Sequence, residues 1–539
     1  MKRIIVTFFC LILLTVFAQS QDTGKSLYYY QRYHSAENIF HDQLRQHPDD
    51  GETWLWLTKS YISQNNLQKA EDSLAQAPGS ISADPFYLVA KGLLALQHKN
   101  VESASFYFNQ AIDITKGKNA IVLGSIAEAG IMSPVVDSSY TFDILHKAIK
   151  KDKNNSSLYV TMGNGYLKLH DGNEAFKAYR EAIGKDKNNA EAYYRLGTLF
   201  LSQKNPDVYL DYFNKAIVAD KNYAPAWYEL YSHYLYIDRD PVKALQYFGQ
   251  YAAVSDQTIQ REYANTDLLY LTKDYTGAIA QAKALLVMEN SQPRLYKLIA
   301  YSYGEMKDTT NAFAYMQRYF QKEADSNFIV KDFETMADLY ISQPGMEDSV
   351  IAYYQKAITV SKDSASLFAY YKKLADLSKV REDYVAQAKW LGKYFMGNSS
   401  AGNVDLFNWG LSAYRAEQYS QADSVFAMYT EKYPEQGFGY YWRARSNAAI
   451  DSTQEDGLAI PYYTKLVEVI GDDSLTATNK KWMIEAYSYM AAYETNTQKD
   501  YKEAIDYFGK ILEIDPENAT AKKYIAVLEK NVKPGEVSN

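Results

Sequence analysis

Gly24, Lys25 and Ser26 end a phosphate-binding loop of the form GxxxxGKS, in which backbone amides cradle phosphate and the lysine reaches it. The motif also needs a glycine five residues before Gly24, and Gln19 stands there. No strand pattern precedes it, so the tripeptide reads as a chance match. The seven histidines are scattered. His34 and His41 share a helical face but lie two turns apart, roughly 10 Å by helix rise, which is too far for one metal. Neither HExxH nor GxSxG occurs, and the single cysteine, Cys10, lies in an apolar N-terminal run. These patterns give no catalytic residue, no metal site and no cofactor. An enzyme is the weakest of the functional readings.

The elements that would position a site are more informative. At 539 residues the chain is too long for one compact core, so several domains or a repeat array are expected. Its 47% hydrophobic and 23% charged residues describe a globular chain. Tyr, Phe and Trp number 51, 22 and 7. A repeat that requires several aromatics per unit would produce such counts. The net charge of −8, without basic runs, makes nucleic acid a poor partner.

Lys2 and Arg3 precede the apolar run 4–18, which is followed by small and polar residues. This is the layout of a secretory signal peptide over 1–20, with cleavage after Ala18 or after Ser20. The run is shorter than the ~20 residues that cross a bilayer, and no later segment approaches that length. Cys10 follows Phe8 and Phe9 rather than small residues, so no lipid anchor is expected. Removing the leader takes the charge from −8 to −10 and removes the only thiol. The mature chain is expected in the periplasm, with association to the outer membrane through a partner.

Self-similarity then organises the rest. A small residue, an aromatic four later and a packing residue three further on recur at Ala175/Tyr179/Ala182, Tyr209/Phe213/Ala216 and Ala244/Phe248/Tyr251. In register the first positions are Ala36, Ala70, Ala104, Thr141, Ala175, Tyr209, Ala244, Ala278, Ala312, Val350, Ala386, Ala422, Ala459 and Ala504, a mean step of 36. Sixteen residues before each anchor comes the other half of the unit, as in Tyr159, Met162, Gly163, Tyr166 and in Tyr193, Leu196, Gly197, Phe200. Offsets of three, four and seven share one helical face, and the glycine admits a close neighbour. Each unit therefore reads as two antiparallel helices. DKNN or DKNY at 152, 186 and 220 falls between units, where Asp and Asn cap free amides. Pro85, Pro206, Pro225, Pro241 and Pro461 fall near helix starts.

This pattern resembles the tetratricopeptide repeat, including the closing proline at Pro48, Pro434 and Pro516. The resemblance implies an all-α fold, a right-handed α-solenoid of tandem helix–turn–helix hairpins. About fourteen units are expected over 21–516, with insertions after Ala104, after Ala312 and between Ala459 and Ala504. A capping helix over 517–530 and a disordered tail over 531–539 complete the expected layout.

Such arrays bind partners in a concave groove lined by the first helices. By resemblance the groove pairs are Val160/Asn164, Tyr194/Thr198, Glu229/His233, Tyr263/Asp267 and Lys297/Tyr301. They lack the Lys/Asn clamp that chaperone-tail binders use, and instead offer Tyr, amide and carboxylate groups suited to an extended peptide or protein loop. The leading expectation is a non-enzymatic scaffold for cell-envelope proteins. The alternative is a carbohydrate- or nutrient-binding partner of an outer-membrane transporter. Seven Asp-Ser/Thr tripeptides, at Ser73, Thr309, Ser349, Ser364, Ser424, Ser452 and Ser474, resemble the O-glycosylation acceptors of some exported Gram-negative proteins. The same tripeptides also suit capping at turns and helix starts.

Overall fold

The computed structural model describes residues 23–134, 137–288, 291–471 and 476–531. The leader at 1–20, Ser474 and nearly all of the tail lie outside the described residues. The chain divides into two units, at residues 1–307 and 308–539. Among the described residues every regular element is a helix, and most helices pack in sequential antiparallel pairs.

Local chemistry sets the helix ends. Asn155 accepts the amide of Ser157 at 3.2 Å, Asn189 that of Ala192 at 2.9 Å, and Asp171 that of Glu174 at 3.0 Å. Pro85, Pro206 and Pro241 open their helices, and Pro225 and Pro461 occupy the first turn, where a missing amide costs nothing. Within many hairpins the turn uses one left-handed residue immediately before the capping Asp or Asn. Examples are His170, Lys204 and Lys273, with φ of 61°, 56° and 67°.

In the N-terminal unit, Gly51–Ser63, Pro85–Gln97 and Ala120–Met132 are successive first helices that pack on one another. Hairpins follow at Ser156–Lys168 with Gly172–Lys185, and at Ala190–Ser202 with Pro206–Ala219. Two more are Ala224–Tyr236 with Pro241–Val254, and Ile259–Leu271 with Tyr275–Leu286. In several hairpins the aromatic four residues past the anchor packs against a glycine of its partner helix. A methyl group on Gly163 would sit 2.4 Å from the Tyr179 ring, and one on Gly197 2.4 Å from Phe213.

In the C-terminal unit the hairpins are Val330–Ile341 with Glu347–Val360, Ser364–Val380 with Tyr384–Gly397, and Asn403–Arg415 with Tyr419–Lys432. Gly437–Ile450 with Ile460–Ile470 and Ala477–Tyr493 with Tyr501–Ile514 follow, and Ala519–Leu528 packs on the last.

Most anchors sit four residues after a helix cap, but two do not. The helix Tyr384–Gly397 is capped by Asp383, so Gln387 rather than Ala386 takes the anchor place and is buried. Ala459 is itself the cap residue before Ile460, and Tyr463 fills the place instead, 2% exposed. The extended turn over 451–459 delays that helix. Asp451 organises the turn by accepting the amides of Glu455 and Leu458.

Candidate functional site

The groove of the N-terminal unit holds part of its own chain. Gly24–Tyr29 and Tyr33–Gln46 are joined by a tight turn in which Gln31 adopts φ 59°. Capping by Thr23 and close packing of Gly24 on the Phe40 ring fix this start, while Lys25 pairs with Glu52 at 2.6 Å. The GKS tripeptide is therefore structural.

The turn reaches across to hairpins far along the sequence. The backbone amide of Glu191 donates to the Tyr29 hydroxyl at 3.1 Å, and the Tyr29 and Tyr223 rings meet at 5.1 Å. Asp256 accepts the amide of His34 at 2.8 Å and the hydroxyl of Ser35 at 2.5 Å. Tyr29 and Tyr30 pack on a buried cluster of Ala190, Ala216, Tyr223 and Ala226. Beneath the turn, Lys59 is 3% exposed, 2.7 Å from Glu128 and 3.7 Å from the centre of the Trp56 ring. The ammonium thus has both a counter-charge and an aromatic face, which a buried cation requires.

The inserted turn leaves a cavity on either side. One, of about 330 Å³, is lined by Trp56, Glu128, Val160, Asn164, Glu191 and Arg195 among others. There Asn164 accepts the hydroxyl of Tyr179 at 2.8 Å, and Glu191 and Arg195 pair at 3.1 Å. The other, of about 390 Å³, includes Tyr194 and Glu229. Burial pushes the Glu229 carboxyl above the usual carboxylate range, opposed by a hydrogen bond with Tyr194, and burial pushes the Tyr194 hydroxyl up to about 12.

The remaining expected groove residues divide. Tyr263 and Asp267 line an open hollow of about 250 Å³, in which Arg294 donates twice to Asp267, at 2.8 and 3.1 Å. Tyr263 itself is 6% exposed and accepts the amide of Gln292, so it is chiefly a packing residue. His233 is a clear departure. It is 5% exposed, with Nδ1 2.8 Å from the Tyr209 hydroxyl of the preceding hairpin and Nε2 3.3 Å from Asp238, and it offers nothing to a partner. Thr198 donates to the carbonyl of Arg195. Lys297 and Tyr301 lie half-buried on Arg294–Glu305. The other histidine pair also separates, for His41 meets the Tyr61 hydroxyl at 2.8 Å and His34 lines the larger cavity.

The C-terminal unit carries a feature that the groove positions read from sequence did not include. Phe407, Phe438 and Trp482 come from three successive first helices and form a chain of ring contacts at 5.8 and 5.1 Å. Tyr441 stacks on Trp482 at 4.6 Å. Phe438 is 46% exposed and Val404, one turn before Phe407, is 64% exposed. Beside the rings, Arg445 faces Glu485 at 3.4 Å, and Glu485 accepts the hydroxyls of Tyr441 and Tyr463. Applying the groove rule to the unit anchored at Ala422 would have named Phe407. Trp482 escapes it because Ala477–Tyr493 is longer than the usual first helix.

Among the modification candidates, Ser73 is buried and closed to an enzyme, and Ser349 is half-buried. Thr309, Ser364, Ser424 and Ser452 are exposed. Asp308 and Asp363 cap helices by accepting the amides of Asn311 and Ser366, which accounts for two of the tripeptides without modification. No group of three or more His, Cys, Asp or Glu among the described residues is placed to hold a metal, and no described helix is long and apolar enough to cross a membrane.

Tandem hairpins with caps between them and glycine–aromatic packing within them define an α-solenoid, a class built for contact rather than chemistry. Tetratricopeptide repeat models match residues 27–91, 160–225, 406–435 and 486–518. The chain carries tetratricopeptide repeats over these segments. Among solved structures it is similar to the C-terminal part of a TPR repeat-containing protein from Cytophaga hutchinsonii. Identity there is 27% over 49% of this chain and 99% of the other, with a TM-score of 0.30. It is also similar to pilF of Pseudomonas aeruginosa, at 22% identity over 42% and 96%, TM-score 0.30. The APC/C hetero-tetramer Cut9–Hcn1 gives 12% identity over 88% and 96%, TM-score 0.24. No curated protein matches the chain. Tetratricopeptide proteins generally mediate protein–protein contacts and are typically non-catalytic.

Proposed function

We propose that this is an exported, non-enzymatic scaffold that docks a protein of the cell envelope on the aromatic stripe of its C-terminal unit. The observation that carries the reading is the row Phe407–Phe438–Trp482 beside the Arg445–Glu485 pair. Aromatics and arginine dominate the energy of protein interfaces, and a row spread over successive repeats suits an extended segment. The N-terminal groove is the poorer channel for such a segment, because the Tyr28–Arg32 turn fills it. The leader-like start supports export.

Co-purification of the full chain from native envelope tests the docking surface. One dominant protein partner should be retained by the natural chain and lost from the Phe438→Ala, Trp482→Ala double variant while helicity is unchanged. Equal capture by both chains would remove the stripe from the account. Intact mass of the exported chain, read together with cleavage position, tests modification at Thr309, Ser364, Ser424 and Ser452.

A further inference from the structure

The larger cavity of the N-terminal unit has a composition that the scaffold reading does not use. Tyr30, Tyr33, Tyr194, Tyr228 and Tyr251 contribute to its walls, and this half-open hollow measures about 390 Å³. That is within the size range of small-ligand sites, roughly 300–1,000 Å³. The rings are held by one another. Tyr228 and Tyr251 meet edge-on at 5.5 Å, and Tyr194 is set by contacts with Phe213 and Tyr223 at 5.9 and 5.6 Å.

The charged lining is one-sided. Among the described residues of the wall, Glu229 and Asp256 are the acids, His34 adds an imidazole, and no lysine or arginine contributes. Asp256 is already engaged by the amides of His34 and Ser35, by the Ser35 hydroxyl and, at 3.8 Å, by Arg32. Glu229 has a Tyr194 hydrogen bond, and its carboxyl is pushed up by burial without an opposing cation. A carboxylate in that setting gains from a positive guest, and tyrosine faces attract the same charge through their quadrupoles.

We infer that this cavity is a binding site for an organic cation, with an ammonium or guanidinium group held between the tyrosine faces and the Glu229 carboxylate. The group can belong to a free small molecule or to a Lys or Arg side chain of a peptide. The site rests on residues of the N-terminal unit alone.

Calorimetric titration of the mature full chain with choline, with a short lysine- and arginine-containing peptide, and with dimethylbutanol, the uncharged carbon isostere of choline, tests it. Saturable one-to-one binding of choline or of the peptide is expected, and which one binds tells the two sources apart. Glu229→Gln should weaken that binding at least tenfold, and Tyr228→Ala, at a half-exposed ring, should weaken it with unchanged helicity and melting. Binding of the isostere as tight as choline, binding unaffected by Glu229→Gln, or no binding of either cation would each overturn the assignment. Envelope-partner capture by the Glu229→Gln chain should persist, so loss of cation binding and loss of docking are read separately.

Discussion

The hydroxyl of Tyr29 accepts the backbone amide of Glu191 at 3.1 Å, joining residues 162 positions apart. That bond turns the N-terminal unit from an open row of hairpins into one that returns on its own first turn. Solenoid repeats ordinarily touch only their neighbours, and stability then follows nearest-neighbour terms. A contact of this range couples the first hairpin to the sixth and seventh.

Removing the closure should loosen distant amides first. Tyr29→Phe deletes one hydrogen-bond acceptor at a half-buried amide and should cost about 1 kcal/mol. Asp256→Ala leaves the His34 and Ser35 amides without their acceptor and should cost about 1–3 kcal/mol. Hydrogen exchange should accelerate at Glu191 and at 33–36 in these variants, with protection in the C-terminal unit unchanged. Uniform acceleration throughout the chain would contradict a local closure.

The glycines divide into two kinds with opposite signs. In an exposed helix interior, Gly→Ala normally stabilises by about 1 kcal/mol. Gly249 has open space around it, so Gly249→Ala should show that gain. Gly197→Ala should instead destabilise by about 1–3 kcal/mol, because its methyl would meet the buried Phe213 ring, which has nowhere to move. Thermal melting of the two variants checks the contrast, and equal shifts of one sign would refute the packing argument.

Alkaline pH should unfold the chain abruptly. Burial raises the hydroxyls of Tyr194, Tyr441 and Tyr507 to about 12, and those of Tyr28 and Tyr223 are also well above the usual value. A raised folded-state value means that the folded chain keeps protons which the unfolded chain releases. The stabilising contribution is therefore complete below pH ~10 and is lost as pH rises through about 12. Tyrosinate absorbance and circular dichroism should change together in that window. Smooth tyrosine ionisation with helicity intact would show that the rings are accessible.

Much of the fold was legible because repetition exposes local rules. Asn189, within the repeated DKNN, could be read as a cap and Pro206 as a helix start from their types and spacing. The anchor register failed at Ala386 and Ala459 because each depends on where the preceding turn ends: a one-residue shift there puts Gln387 in the place of Ala386, and a four-residue shift puts Tyr463 in the place of Ala459. His233 was misread as groove-facing because the rule assigns a face by position. Its imidazole instead turns inward to satisfy the Tyr209 hydroxyl. The closure by Tyr29 and Asp256 has no sequence signature, since nothing periodic links residues so far apart. The row Phe407–Phe438–Trp482 was hidden for a related reason, as a lengthened helix moves Trp482 out of register.

The stripe also predicts a graded mutational response. Phe438→Ala should weaken partner binding at least tenfold, as expected of a central aromatic anchor worth about 2 kcal/mol or more. Lys465→Ala, at an exposed site with a surface ion pair, should leave it within twofold, since such pairs contribute about 0–1 kcal/mol. Surface-immobilised binding to the captured partner measures both. Equal losses would point to a diffuse electrostatic contact.

The most direct test places a photo-crosslinking amino acid at Val404, on the edge of the stripe, and in a second chain at Val218, which is 87% exposed on a second helix of the N-terminal unit. Irradiation in the native envelope should give one discrete protein adduct from position 404 and none from 218. No adduct at 404, or the same set of adducts from both positions, would contradict a docking scaffold that works through its C-terminal stripe.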